Sequence, residues 1–192
     1  MCEGHVPSEE KIRNWLFYRE MSGDILVEQN CHSLDVVNWF MRKHPLKASG
    51  FGSRAIRKSQ GDVLDNLAAT FHFDDGTVFS YSANQFATSG YSDISETFLC
   101  ENGSINTSRK GYKLWTEGAE APIVVATDYD ITKDSVDRFI SGVRNGEHEN
   151  AAPAAVESTL TAILARKAIY SGRSLNFEEV RSATPGWGVP SL

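Results

Sequence analysis

Apolar positions along the chain change period twice. From Asp24 to Arg42 they recur as Val27, Cys31, Leu34, Val37 and Met41, the spacing of one helix face, and His44-Pro45 closes the run. From Lys47 to about Trp115 the period falls to two. Leu67, Ala69, Phe71 and Phe73 alternate with Ala68, Thr70 and His72, and Thr77, Phe79 and Tyr81 alternate with Val78, Ser80 and Ser82. Asp75-Gly76 stands between these runs and tolerates the positive φ of a tight reversal, which predicts a hairpin. Asn102-Gly103, between SETFLC and SINTS, predicts a second. Strands joined by tight turns form an antiparallel sheet. The helical period returns in Val136, Phe139, Ile140 and Val143, with Thr132 the expected N-cap and Gly146 the stop. It returns again in Val156, Leu160, Ile163, Leu164 and Lys167, with Gly172 beyond. Residues 1–23 read as a lead-in and the Gly- and Pro-rich tail ATPGWGVPSL as loop. Helix, then sheet, then helices gives an α+β class with an open, largely antiparallel sheet and helices on one face.

Composition narrows this picture. A length of 192 residues supports one sizeable core, a single domain rather than two. The net charge of -6 gives nonspecific nucleic-acid binding no electrostatic support. No apolar run approaches a bilayer span, and residues 1–20 lack the apolar stretch of a signal peptide. Neither nucleic acid nor membrane is therefore an expected partner. Cys2, Cys31 and Cys100 are odd in number and show no CxxC spacing, so neither a disulfide framework nor a structural zinc site is expected. A reducing, cytoplasmic location fits that usage.

Candidate chemistry concentrates in the first helix. Glu28, His32, Asp35 and Trp39 recur at the spacing of a second stripe beside the apolar one. That stripe can face a cleft while the apolar side packs against the sheet. A carboxylate one turn from a histidine can hold its tautomer and favour its protonated form, as general acid/base work requires. Such a pair also occurs as a plain surface interaction. Trp15, Phe17 and Tyr18 form an aromatic cluster that reads as core or cleft lining. His72 reads as a cross-strand side chain, and His5, His44 and His148 as solvated. Gly50-Phe-Gly-Ser-Arg-Ala55 matches a dinucleotide fingerprint letter by letter, but no apolar helical face follows it and Gly61 comes too soon. It reads as a glycine-containing strand. No nucleophile elbow, Walker A loop or zincin motif is present.

GDILVEQNCHSLDVVNWF, HPLKASGFGSR and GDVLDNLAATFHFDDGTVFSYSANQ, followed by SVDRFISGVRNGEHENAAPAAVESTLTAILARKAIYSGRSLNFEEV, resemble the C-terminal domain of the Gfo/Idh/MocA oxidoreductases. The resemblance runs from about Trp15 to Val180. It implies a dihydrodipicolinate reductase-like C-terminal domain, joined in family members to an N-terminal Rossmann domain that binds NAD or NADP. It implies sugars, polyols or their derivatives as substrates, bound between the two domains. It maps the family's acidic residue and histidine onto Glu28 and His32 as the catalytic pair, His32 taking the proton from a substrate hydroxyl. Glu28 stands where many members carry Asp. Asp35 matches an acidic residue often found three positions after the histidine, and Asp35, Trp15 and Tyr18 are expected to bind substrate. Glu10-Lys11-Ile12 is not the family's Glu-Lys-Pro motif, so the Rossmann half is expected to be absent and the chain by itself to bind no cofactor and lack activity.

Two other readings stand beside this one: a free-standing binding or oligomerisation module, and part of a glycosidase that uses bound NAD transiently. Under every reading, the flat face with Thr70 and Ser80 is expected to meet a second copy in a homodimer or larger assembly.

Overall fold

The computed structural model describes residues 7–87, 89–147 and 149–183. Cys2, His5, His148 and the tail beyond Ala183 lie outside the described residues. In chain order the elements are α1 (Glu9–Arg13), a 3-10 turn (Trp15–Phe17), α2 (Arg19–Ser22), α3 (Ile25–Glu28) and α4 (Cys31–Met41). Strands β1 (Lys47–Ser53), β2 (Asn66–His72), β3 (Val78–Asn84), β4 (Ser95–Cys100), β5 (Gly103–Ser108), β6 (Gly111–Thr116) and β7 (Ile123–Ala126) follow. The chain continues through α5 (Ile131–Asn145), α6 (Ala152–Ser171), β8 (Leu175–Asn176) and α7 (Phe177–Ser182). The α+β class and antiparallel pairing hold. The strands form two sheets instead of one, ordered β3-β2-β1-β8 and β4-β5-β6-β7. Alternation fixes which residues share a face, and it carries no information on where one sheet stops. The chain divides into two compact units, residues 1–89 with 152–192, and residues 90–151.

In the first unit the expected hairpin forms. Phe71 pairs with Phe79 and Thr70 with Ser80, and Gly76 supplies a φ of +84 at the turn. Leu67, Ala69, Phe71 and Phe73 are buried, while Ala68 and His72 face out. Helix α6 lies on the inner face against β1 and β2, and α3 and α4 pack on α6. The opening helices therefore reach the core mainly through α6, a correction to the direct packing on the sheet expected from their apolar stripe. Ile25, Leu34, Phe71, Leu164 and Val180 meet in the core cluster. Gly50 explains the fingerprint-like letters. It lies inside β1, where a Cβ would stand 2.5 Å from the Ala68 carbonyl oxygen and 3.1 Å from Ile169 on α6. The glycine is there for close approach of helix to sheet.

The opening helix is two helices. The Ile25 carbonyl accepts both the Gln29 N–H at 3.1 Å and the Asn30 N–H at 2.9 Å, so the ladder slips by one residue. Helix α4 then runs to Met41, and Arg42, at φ +54, ends it. His44 is half-buried, its ring stacked on Phe177 at 3.7 Å between centroids, and not solvated as its loop context implied.

In the second unit, β4 to β7 form a meander whose first reversal is the expected Asn102-Gly103 hairpin. Asp130, not Thr132, caps α5, because its carboxylate accepts the N–H groups of Thr132 at 2.9 Å and Lys133 at 3.3 Å. Gly146, at φ +70, ends the helix as expected.

Candidate functional site

The site is built on α3 and α4 in the first unit. Asp24 starts α3 in a backbone conformation rare for a residue with a side chain, φ +79 and ψ 166. Its carboxylate is buried and holds that conformation from three sides. It accepts the Ile25 N–H at 2.7 Å, the Leu64 N–H at 3.2 Å and the Tyr170 hydroxyl on α6. Burial, and then that bond to Asp24, push the Tyr170 phenol far above its usual range. Arg19 covers the Tyr170 ring at 4.6 Å. This clamp joins α3, the segment leading to β2 and the end of α6, and so fixes the start of the helix that ends in Glu28.

Glu28 is the last residue of α3 and is half-buried, while His32 lies in the first turn of α4 and is exposed. No hydrogen bond or ion pair joins them among the described residues. Asp35 follows on the exposed side of α4, but Ser158 of α6 donates a hydroxyl to its carboxylate, so one oxygen is already used in tying the two helices. One turn later Asn38 donates to Thr161 at 3.0 Å. Trp39, the last member of the stripe, is 71% exposed. Cys31, beside His32, is pushed toward the neutral thiol by burial and then by the Glu28 carboxylate.

Trp15 and Tyr18 belong to a neighbouring wall. Trp15 is 44% exposed in the 3-10 turn. The Tyr18 hydroxyl donates to Glu10 at 3.0 Å, which raises its phenol, and the Lys11 ammonium stands 5.4 Å over the ring. Between them, the Phe17 carbonyl accepts the N–H of Asp62 at 2.9 Å.

A side-chain row that sequence reasoning missed connects this wall to the Glu28–His32 turn. The Arg57 guanidinium stacks over Phe17 at 4.7 Å and donates to Gln85 Oε1 at 3.0 Å, and Gln85 Nε2 donates to Gln29 Oε1. Arg57 is placed by the buried Asp65, whose carboxylate takes the backbone N–H groups of Ala55 at 2.9 Å, Ile56 at 2.8 Å and Arg57 at 2.7 Å. Burial pushes the Asp65 carboxyl up, but these N–H donors and the Asn66 amide outweigh it and hold it down at about 2. No spacing signal could have found the row, because Gln85 is 56 residues from Gln29 and 28 from Arg57.

Among the described residues no group of three or more His, Cys, Asp or Glu is placed to hold a metal ion, and no helix is long and apolar enough to cross a membrane.

No curated protein matches the chain. Solved structures share its fold at low identity. Levoglucosan dehydrogenase, in complex with NADH and levoglucosan, is 16% identical at a TM-score of 0.69, over 84% of this chain and 53% of that one. Myo-inositol 2-dehydrogenase from Lactobacillus plantarum is 17% identical at 0.66, over 87% and 52%. UDP-N-acetylglucosamine 3-dehydrogenase from Acidithiobacillus ferrooxidans is 14% identical at 0.67, over 80% and 50%. The chain thus spans about half the length of these proteins. The family model for the GFO/IDH/MocA C-terminal domain matches residues 1–106, which is more than half of the chain. This chain belongs to the GFO/IDH/MocA C-terminal domain family.

Proposed function

We propose that the chain is the substrate-facing domain of an NAD(P)-dependent oxidoreductase acting on a sugar, polyol or derivative, with His32 as its proton-transfer residue. The observation that carries this reading is the placement of His32: an exposed imidazole in the first turn of a helix anchored on the core, with the Glu28 carboxylate on the turn before. Neutral His32 accepts the proton of a substrate hydroxyl as its carbon–oxygen bond becomes a carbonyl, and Glu28 stabilises the imidazolium that forms. Asp35 keeps one carboxylate oxygen for substrate hydroxyls, and Trp15 and Tyr18 offer aromatic faces to the apolar side of a sugar ring. The dehydrogenase names of structures with the same fold support the substrate class.

The glycine-containing segment, the one fingerprint match among the described residues, does not fit the dinucleotide itself. Gly50 and Gly52 lie inside β1 and not at a turn into a helix, so they make no phosphate cradle. We assign the NAD or NADP of the whole enzyme to a Rossmann half.

The second partner we infer is another copy of the chain. The outer face of the first sheet presents Lys47, His72 and Val78 in one row, Ser49, Thr70 and Ser80 in the next, then Phe51, Ala68 and Ser82, then Ser53, Asn66 and Asn84. It carries no carboxylate. Phe51, 84% exposed, is a knob among small side chains that form a seat for its counterpart. A two-fold axis through the middle rows sets Lys47 and His72 over Asn66 and Asn84 of the other copy, so no like charges oppose.

His32→Ala in the whole enzyme tests the catalytic assignment. Turnover should fall about 10²–10⁴-fold, the worth of a positioned acid/base. Unchanged turnover returns His32 to a surface role.

A further inference from the structure

We infer that Gln29 is a substrate-positioning residue that offers a fixed hydrogen-bond donor to an oxygen of the substrate, an inference that rests on the oxidoreductase reading. Its basis is the direction of the row Arg57–Gln85–Gln29. An amide's oxygen and nitrogen look alike, and their assignment follows from the partners. Arginine has donors and no acceptor. Arg57 therefore obliges Gln85 to turn its oxygen toward the guanidinium, as the 3.0 Å bond has it. The Gln85 NH2 then faces Gln29, and Gln29 must meet it with its own oxygen. The Gln29 NH2 is left pointing away from the row. Gln29 is exposed, and no described residue takes that group.

The polarity is locked at its source. Arg57 stacks on Phe17, and its backbone N–H is held by the buried Asp65. The Asp65 carbonyl also accepts the Gln85 N–H at 2.9 Å. These backbone bonds fix where the two side chains start; swinging the guanidinium away loses its stack on Phe17, and flipping the Gln85 amide would set its NH2 against the guanidinium's donors. Gln29 directly follows Glu28 and precedes His32 by three residues, so it sits at the junction of α3 and α4, between the two members of the proposed pair. The chemistry it selects is an acceptor oxygen: a hydroxyl, carbonyl or carboxylate beside the reacting carbon. An ammonium or another donor-only group is rejected there.

The test uses the 192-residue chain, labelled with 15N, and reads its side-chain amides by NMR. The Gln29 NH2 should exchange freely with solvent and the Gln85 NH2 should be protected. The reverse pattern overturns the inference. Arg57→Lys keeps a donor-only partner and should preserve the pattern, whereas Arg57→Met should abolish it. Identical amide patterns in both variants overturn the lock. Myo-inositol, raised to its solubility limit, should then shift the Gln29 amide together with the His32 ring. A shift at His32 alone, or at neither group, overturns the inference and leaves the oxidoreductase reading to the His32→Ala test. Gln29→Glu keeps the bond to Gln85 and loses the outward donor, so inositol binding should weaken by up to about tenfold. Unchanged binding in that variant also overturns the inference.

Discussion

The Ser158 hydroxyl donates to the Asp35 carboxylate, joining α6 to α4 across 123 residues of sequence. Ser158 is buried, so its hydroxyl has no water to return to if the carboxylate is removed. Ser158→Ala should cost about 1.5–3 kcal/mol, the worth of a hydrogen bond to a charged group. Urea unfolding measures it, and the loss should shrink when Asp35 is already alanine. Two additive losses would mean that the residues do not act as a pair.

Asp65 gives the chain an acid-sensitive brace. Its folded value, about 2, lies below the ordinary 3.8. A depressed carboxylate adds stability that is fully present above its unfolded value and is lost as pH falls toward the folded one. Unfolding free energy should therefore drop between about pH 4 and pH 2, and Asp65→Asn should remove that part of the dependence. At neutral pH the same variant should cost about 2–3 kcal/mol, because three part-buried N–H groups lose their charged acceptor.

The sheet face should be the seat of self-association. Light scattering should find a dimer or larger species, and Phe51→Glu should give monomers because it buries like charges against each other. A wild-type monomer at every concentration ends the idea. A dimer that survives both Phe51→Glu and paired charges at Thr70 and Ser80 places the interface elsewhere.

Titration calorimetry of this chain with NAD and with NADP should give no saturable heat. Affinity for the pyrophosphate needs a glycine turn at a helix N-terminus, and the glycines of β1 are strand residues. Saturable binding in the micromolar range would contradict this.

Much of the first unit was legible because a half-buried sheet writes its pattern directly into the sequence. Leu67, Ala69 and Phe71 had to share a face, and Asp75-Gly76 had to turn. Periodicity also put Glu28 and His32 on one stripe of one helix, whereas they stand on two successive helices, Glu28 half-buried and His32 exposed. The division of the strands into two sheets was not legible, because strand order depends on contacts between distant segments. The break at Gln29 and Asn30 was hidden too. It is a slip in backbone bonding at Ile25, and a helical wheel drawn from Asp24 to Arg42 passes over it. Around the site, the supporting groups left no local signature: Asp24 meets Tyr170 across 146 residues, and Asp35 meets Ser158 across 123.

The turn that Asp65 holds has a wider meaning. Three successive backbone N–H groups, at Ala55, Ile56 and Arg57, converge on one anion, and convergent amides of this kind are what proteins use to capture phosphate. They begin on the last of the letters that mimic a nucleotide loop. Here the captured anion is the chain's own side chain, already covalently tethered and out of water. The turn is thus a phosphate site with a permanent tenant, and a dissolved anion would have to compete with a carboxylate that never diffuses away.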